Sequence, residues 1–166
     1  MMMKGIPSLK KRLTTVAAAA LLLAATQLSL ASNQAFASYN YALGQYTWAS
    51  NGTSSNAVDN SVSTIWQPSF GGSGWMIVDL GSVKTINQLV VKVPSVGHLV
   101  ESIAVSTSTD NVTYTAQTSA TYGFYSANGY TNTINLPSAV TTRYVQVSVA
   151  PAGTATMIGE LEIYGP

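Results

Sequence analysis

Along residues 143–149, Val145, Val147 and Val149 share one parity, and Tyr144, Gln146 and Ser148 share the other. Side chains of a strand point alternately to its two faces, so this period of two predicts a strand with one face buried. Similar short segments, rich in Val, Ile, Thr and Tyr and separated by turn residues, recur along the chain. They predict strands over Tyr46–Ser50, Trp75–Leu80, Ile86–Val93, Ser102–Ser106, Val112–Ala116, Thr131–Leu136, Arg143–Val149 and Ile158–Tyr164. Helix-forming runs of Glu, Lys, Leu and Ala are missing from residue 38 onward. The expectation is an all-β fold, an eight-stranded β-sandwich of jelly-roll type. No internal repeat or interdomain linker interrupts it. The turn-rich stretches 51–56, 67–74, 94–98, 122–130 and 151–156 are the expected loops. Loops at the ends of a sandwich are where ligands usually sit.

Residues 1–37 break this pattern. Lys4, Lys10, Lys11 and Arg12 make a basic start, and Leu13 to Leu30 is uncharged and rich in Ala and Leu. Ala35-Phe36-Ala37 offers a small-x-small cleavage site, with a second cut available after Ala31. Spanning a bilayer takes ~20 mostly apolar residues, and Thr26, Gln27 and Ser29 interrupt this run. The expectation is a secretory signal peptide over 1–37, a domain over 38–166 and an extracellular protein. The Ala-rich leader and the lack of cysteine point to export from a Gram-positive bacterium.

Removing the leader changes the charge. The whole chain has seven basic and six acidic residues, net +1. From Ser38 onward only Lys84, Lys92 and Arg143 remain against all six acids, giving −3. A charge-poor, mildly acidic surface argues against nucleic acid and anionic lipid. An exported domain without disulfides needs a full core, a metal, or both.

Two acids fall in unusual places. Glu160 interrupts the apolar run from Met157 to Tyr164, and a carboxylate there is costly unless something pairs with it. Asp59 lies in the irregular segment 57–66 with Ser61 and Thr64. Such a segment supplies the mixed carboxylate, hydroxyl and carbonyl oxygens that Ca²⁺ takes. Catalytic sets are missing. His98 is the sole histidine, no G-x-S-x-G element surrounds a serine, and Gly71-Gly72-Ser73-Gly74 opens no helix. With no cysteine, no zinc spacing exists. The protein is expected not to be an enzyme.

Five segments resemble, in order, those of one family. Ala57-x-Asp59-Asn60-x-x-x-Thr64-x-Trp66 is similar to an A-x-D-G-x-x-x-T-x-W element, and Trp75–Gly81 to a W-h-h-h-D-L-G strand. Ile103–Ser106 with Asp110, Asn111 and Tyr114 is similar to h-x-h-S-x-D-G-x-x-W. Residues 143–147 and 158–165 resemble the last two strands. The chain thus resembles a coagulation-factor-five/eight type C (discoidin) domain, in an exported bacterial protein a family 32 carbohydrate-binding module. The resemblance implies a structural Ca²⁺, with Na⁺ fitting the same donors. They are Asn56 through its carbonyl, Asp59, Ser61, Thr64, the Gly159 carbonyl and Glu160. Asn60-Ser61 stands where the family has Gly and then Asn or Asp, which leaves Ser61 its carbonyl. Asn tolerates the left-handed backbone that the Gly would adopt.

Sugar binding needs an aromatic platform and a few fixed polar groups. The candidates are Tyr122, Phe124, Tyr125, His98, Phe70 and Trp48, with Tyr130, Ser95, Glu101 and Asn128 nearby in the loops. Tyr122-Gly123-Phe124-Tyr125 is the densest aromatic loop, although Phe124 or Tyr122 would serve equally as a plug of the sandwich end. Trp66 and Trp75 are assigned to the core, Arg143 to a pairing with Asp79, and Lys84, Lys92 and Glu162 to solvated faces. The family's galactose-binding Arg, Asn and late-loop aromatic have no counterpart here, so terminal galactose is not expected. The expected partner is a cell-wall or extracellular polysaccharide or glycan. The alternative is an adhesion module that grips a protein with the same loops. Membrane docking would need basic residues beside apolar spikes, and they are missing. The pattern carries no expectation of oligomeric state.

Overall fold

The computed structural model describes residues 38–166, apart from 70–71, 96–97 and 153–154. The leader expected over 1–37, and Phe70 among the expected ligand residues, lie outside the described residues. The strands are β1 (Tyr46–Ala49), β2 (Gly74–Lys92), β3 (Leu99–Ser108), β4 (Thr115–Phe124), β5 (Thr131–Pro151) and β6 (Glu160–Tyr164). Short 3₁₀ turns cover Ser54–Ala57 and Ser126–Asn128.

β2 and β5 are long because each serves two layers. The first half of β2 pairs with β1 and with residues 144–149 of β5, while Gln88–Lys92 pairs with β6 and with residues 131–135 of β5. The larger layer therefore runs β1-β2-β5-β3-β4, all antiparallel, and the smaller one is β6-β2-β5. Seven of the eight expected strands fall on paired segments, but the paired segments join into six continuous strands. The expected break between Leu80 and Ile86 is a bulge rather than a loop. The ladder shifts register between Asp79 and Lys84 and then resumes, Lys84 facing Thr142 and Ile86 facing Val140. Gly81 takes φ +74° there, and its N–H donates to the Asp79 carboxylate at 2.9 Å. A bulged ladder bends without ending, which carries both strands from one layer to the other.

The two layers share one core. Met76, Val78, Ile103, Val105, Val145 and Val147 from the larger layer meet Leu89, Val91, Ile134, Leu161 and Ile163 from the smaller, with Trp66 and Phe124 fully buried between them. Burying each such side chain stabilises the fold by about 1.5–3 kcal/mol. Met76 and Val78 face inward, which turns Trp75 and Ile77 to the outside of the larger layer. Trp75 is therefore half-buried on an outer face and not in the core as expected.

The expected strand over Val112–Ala116 is also displaced. Asp110 accepts from the N–H groups of Val112 and Thr113 and from the Ser108 hydroxyl, closing a turn that leaves Val112 82% exposed. An Asx turn of this kind competes with ladder pairing, so β4 starts only at Thr115.

Candidate functional site

One end of the sandwich collects four loops. Asn51 O accepts from the Trp66 indole N–H, and Trp66 pairs with Ile158. Val93 N donates to Tyr130 O, and Ala152 N to Val100 O. The segments 50–73, 93–98, 125–130 and 151–159 thus leave the strands at a common end.

On one side of this end, residues 58–64 fold against the start of β6. Asp59 Oδ1 accepts from Ser61 N at 2.9 Å, and Oδ2 accepts from the Thr64 hydroxyl at 2.7 Å. The Thr64 hydroxyl also approaches Ser61 O at 3.0 Å. Asn60 adopts φ 64°, which directs its N–H to Glu160 Oε2 at 3.0 Å. The second oxygen of Glu160, Oε1, is buried with no hydrogen-bond partner, and the residue is 2% exposed. Burial pushes the Glu160 carboxyl up to about 7; the Asn60 N–H opposes this and the Asp59 charge adds to it. Gly159 lets the loop approach closely, since a Cβ there would lie 3.1 Å from Val62 O. Asn56 donates its side-chain amide to Ile65 O, which ties the 3₁₀ turn to the same loop. The cradle brings together Asp59, Ser61, Thr64 and Glu160. Two carboxylates with hydroxyl and carbonyl oxygens, one carboxylate oxygen orphaned and buried, form a donor set that fits a hard cation.

On the other side, His98 stacks on Tyr125, with ring centroids 5.5 Å apart and planes within 5°. His98 is exposed and Tyr125 is 41% exposed. The Tyr125 ring lies over Gly123, where a Cβ would come within 2.6 Å of it. Asn128 holds the turn: its Oδ1 accepts from Tyr125 N and Tyr130 N, and its Nδ2 donates to Gly123 O. The pair is an exposed, preset aromatic surface bridging two loops.

Other expected ligand residues are not gathered here. Phe124 is fully buried, so it plugs the sandwich and presents no platform. Tyr122 packs its ring on the core from the inward parity of β4. Trp48 stands half-buried on the outer face of β1, between Tyr46 and Tyr144, and not among the end loops. Glu101 is fully buried beneath the loops, where Oε1 accepts from Met157 N and Oε2 has no partner. Burial pushes its carboxyl up to about 7, with the Met157 N–H opposing the shift. Its odd parity with buried Leu99 and Ile103 was the available signal, because inward residues of β3 alternate. Arg143 forms a two-pronged pair with Asp79 at 2.8 and 2.9 Å, and its side chain keeps 40% exposure. Lys92 is bound to Glu162 at 2.6 Å.

A search of curated proteins returned no match. Solved structures do match. Chitosan-binding module 1, derived from chitosanase/glucanase from Paenibacillus sp. IK-5, is 26% identical with a TM-score of 0.63, over 76% of this chain and 99% of that one. Module 2 of the same enzyme, in complex with chitotriose, is 23% identical with a TM-score of 0.63, over 76% of this chain and 100% of that one. CpGH89CBM32-5 from Clostridium perfringens, in complex with GalNAc-β-1,3-galactose, is 13% identical with a TM-score of 0.66, over 78% of this chain and 100% of that one. Their overall fold is shared with this chain. The model of the F5/8 type C domain matches residues 34–161, and the chain belongs to that family.

Proposed function

We propose that this protein is an exported, non-catalytic carbohydrate-binding module that holds a polysaccharide or glycan at its loop end. The observation that carries this reading is the exposed His98–Tyr125 stack, locked by Asn128 at the end where the loops converge. Stacked rings offer an apolar face to sugar C–H groups, while the imidazole and the phenol offer hydrogen bonds to hydroxyls. Membership of the F5/8 type C family, and similarity to modules that bind chitosan, support it. A glycan array tests the reading, with Tyr125→Ala and His98→Ala as controls. Sugar binding that weakens at least tenfold in Tyr125→Ala is the expected result. Binding of no sugar at millimolar concentration would transfer the loop end to a protein partner.

A structural Ca²⁺ belongs to the same reading. Asp59, Ser61, Thr64, Glu160 and the carbonyls of Asn56 and Gly159 would hold it, and it would neutralise the carboxylates of Asp59 and Glu160. The orphaned oxygen of Glu160 supports this assignment. Export rests on the leader pattern over 1–37. N-terminal sequencing of protein recovered from culture medium should begin at Ser38, or at Ser32 with the alternative cut.

A further inference from the structure

The outer face of the larger layer carries a feature that the loop-end reading leaves unused. In register across four strands lie Trp75 on β2, Ser148 on β5, Ala104 on β3 and Ser119 on β4. One row nearer the loops, Ala150 faces Ser102, and the Ser102 hydroxyl lies 3.1 Å from that of Thr121. Small side chains sink the floor of this row and the half-buried Trp75 indole stands as its wall, leaving an open cavity of about 550 Å³. That lies within the range of about 300–1,000 Å³ that ligand sites occupy. Beyond Trp75 the wall continues as an aromatic band, with Tyr46, Trp48 and Tyr144 at centroid spacings of 5.6 and 6.2 Å.

Charge decides what this trough suits. Among the described residues, no charged side chain lines it. The nearest outward charge on β2, Asp79, is neutralised by Arg143. Its polar atoms are serine and threonine hydroxyls, which donate and accept equally. A second copy of the chain would want a broad, flat apolar patch, whereas this floor is narrow, sunken and broken by serine hydroxyls. A phosphate or carboxylate would find no cation. A row of hydroxyls beside an indole face is complementary to a neutral sugar, whose C–H face stacks and whose hydroxyls exchange hydrogen bonds. The row spans three inter-strand spacings of about 4.8 Å, roughly 14 Å, which is longer than one sugar ring.

We propose that the outer face of β2, β5, β3 and β4 is a second carbohydrate site, separate from the loop end, which takes an extended neutral polysaccharide chain laid across the strands against Trp75. It goes beyond the loop-end reading and is tested apart from it. Affinity gel electrophoresis in galactomannan and in hydroxyethyl cellulose, both neutral and soluble, provides the probe. Three variants are compared: Trp75→Ala removes the wall, Ala104→Gln fills the floor without adding charge, and Tyr125→Ala alters only the loop end. Thermal melts accompany each. If Trp75→Ala unfolds, Ala104→Gln and Ser148→Gln, at outward sites, carry the test. The expected result is retardation of the unmodified protein in at least one gel. It should fall at least tenfold in apparent affinity in Trp75→Ala and Ala104→Gln and persist in Tyr125→Ala. In the gels, the proposal is overturned by no retardation in either, by retardation that survives both trough variants, or by retardation lost only in Tyr125→Ala. The last would return the polysaccharide to the loop end and leave that reading intact. Sedimentation showing a dimer that Ala104→Gln dissolves would assign the trough to a second copy instead.

Discussion

At the scale of single residues, the two buried glutamates set the chemistry. Glu101 has a folded carboxyl raised from 4.5 to about 7 by burial. A raised carboxyl pKa means that the folded state prefers the protonated form, so stability is highest below the unfolded pKa and falls as pH rises from about 4.5 to about 7. Each tenfold in proton affinity corresponds to about 1.4 kcal/mol, so the full loss is on the order of 3–4 kcal/mol, of which about 2.5 kcal/mol falls between pH 5 and pH 8. Glu101→Gln keeps the acceptor for Met157 N and abolishes the charge. Urea unfolding at pH 5 and pH 8 should show the gap between the two narrowing by that amount in the variant; an unchanged gap would place the titration elsewhere. For Glu160, the proposed calcium site gives the test. Calcium at a hundredfold excess over its Kd should stabilise chelator-treated protein by about 2.7 kcal/mol, roughly 10 °C in Tm. Glu160→Gln should lose that increment, and a calcium-insensitive melt of the unmodified protein would rule the ion out. Glu160 was legible in the sequence because it interrupts an apolar run, and Asp59 because it shares an irregular segment with Ser61 and Thr64. Glu101 was legible as an acid, but its burial was missed because the expected strand began at Ser102; its parity with Leu99 and Ile103 carries the signal once β3 starts at Leu99.

At the scale of elements, the bulge at Gly81 holds the two layers together. Gly81 adopts φ +74°, and a Cβ there would meet only the Gln45 side chain, at 3.4 Å. The cost of Gly81→Ala is therefore conformational, about 1–2 kcal/mol, and the urea midpoint should fall accordingly with an unchanged m value. A larger loss with a lowered m value would mean that the crossing itself had come apart. Strand identity was readable from parity: Val145, Val147 and Val149 are all buried, as their alternation requires. Strand continuity was not. Asp79-Leu80-Gly81-Ser82 has the composition of a turn, and a bulge uses the same residues for the same reason, namely a left-handed glycine and a side chain that accepts from the backbone. β4 was misplaced because Val112 and Tyr114 look like strand residues, while the Asp110 carboxylate gathers the backbone N–H groups that a ladder would have needed.

At the scale of the whole molecule, the arrangement separates two aromatic surfaces. One is the His98–Tyr125 stack at the loop end, and the other is the Trp75 trough on the outer sheet face. If both readings hold, one molecule engages two stretches of glycan, and a Tyr125→Ala/Trp75→Ala double variant should lose more affinity for a long polysaccharide than either single variant, since linked sites raise each other's effective concentration. Equal losses in single and double variants would reduce the two surfaces to one. The sequence by itself determined the all-β class, the family, the location and order of most strand segments, and the acidic, disulfide-free character of residues 38–166. Each of these follows from local periodicity, composition or motif order, which need no knowledge of distant neighbours. Only the tertiary structure decided which aromatics reach solvent. Phe124 and Tyr125 are adjacent in the chain, yet one is buried and the other exposed, because a strand sends neighbouring side chains to opposite faces and its register is fixed by its partners. The same register brings Trp75, Ser148, Ala104 and Ser119, far apart in sequence, into a single row.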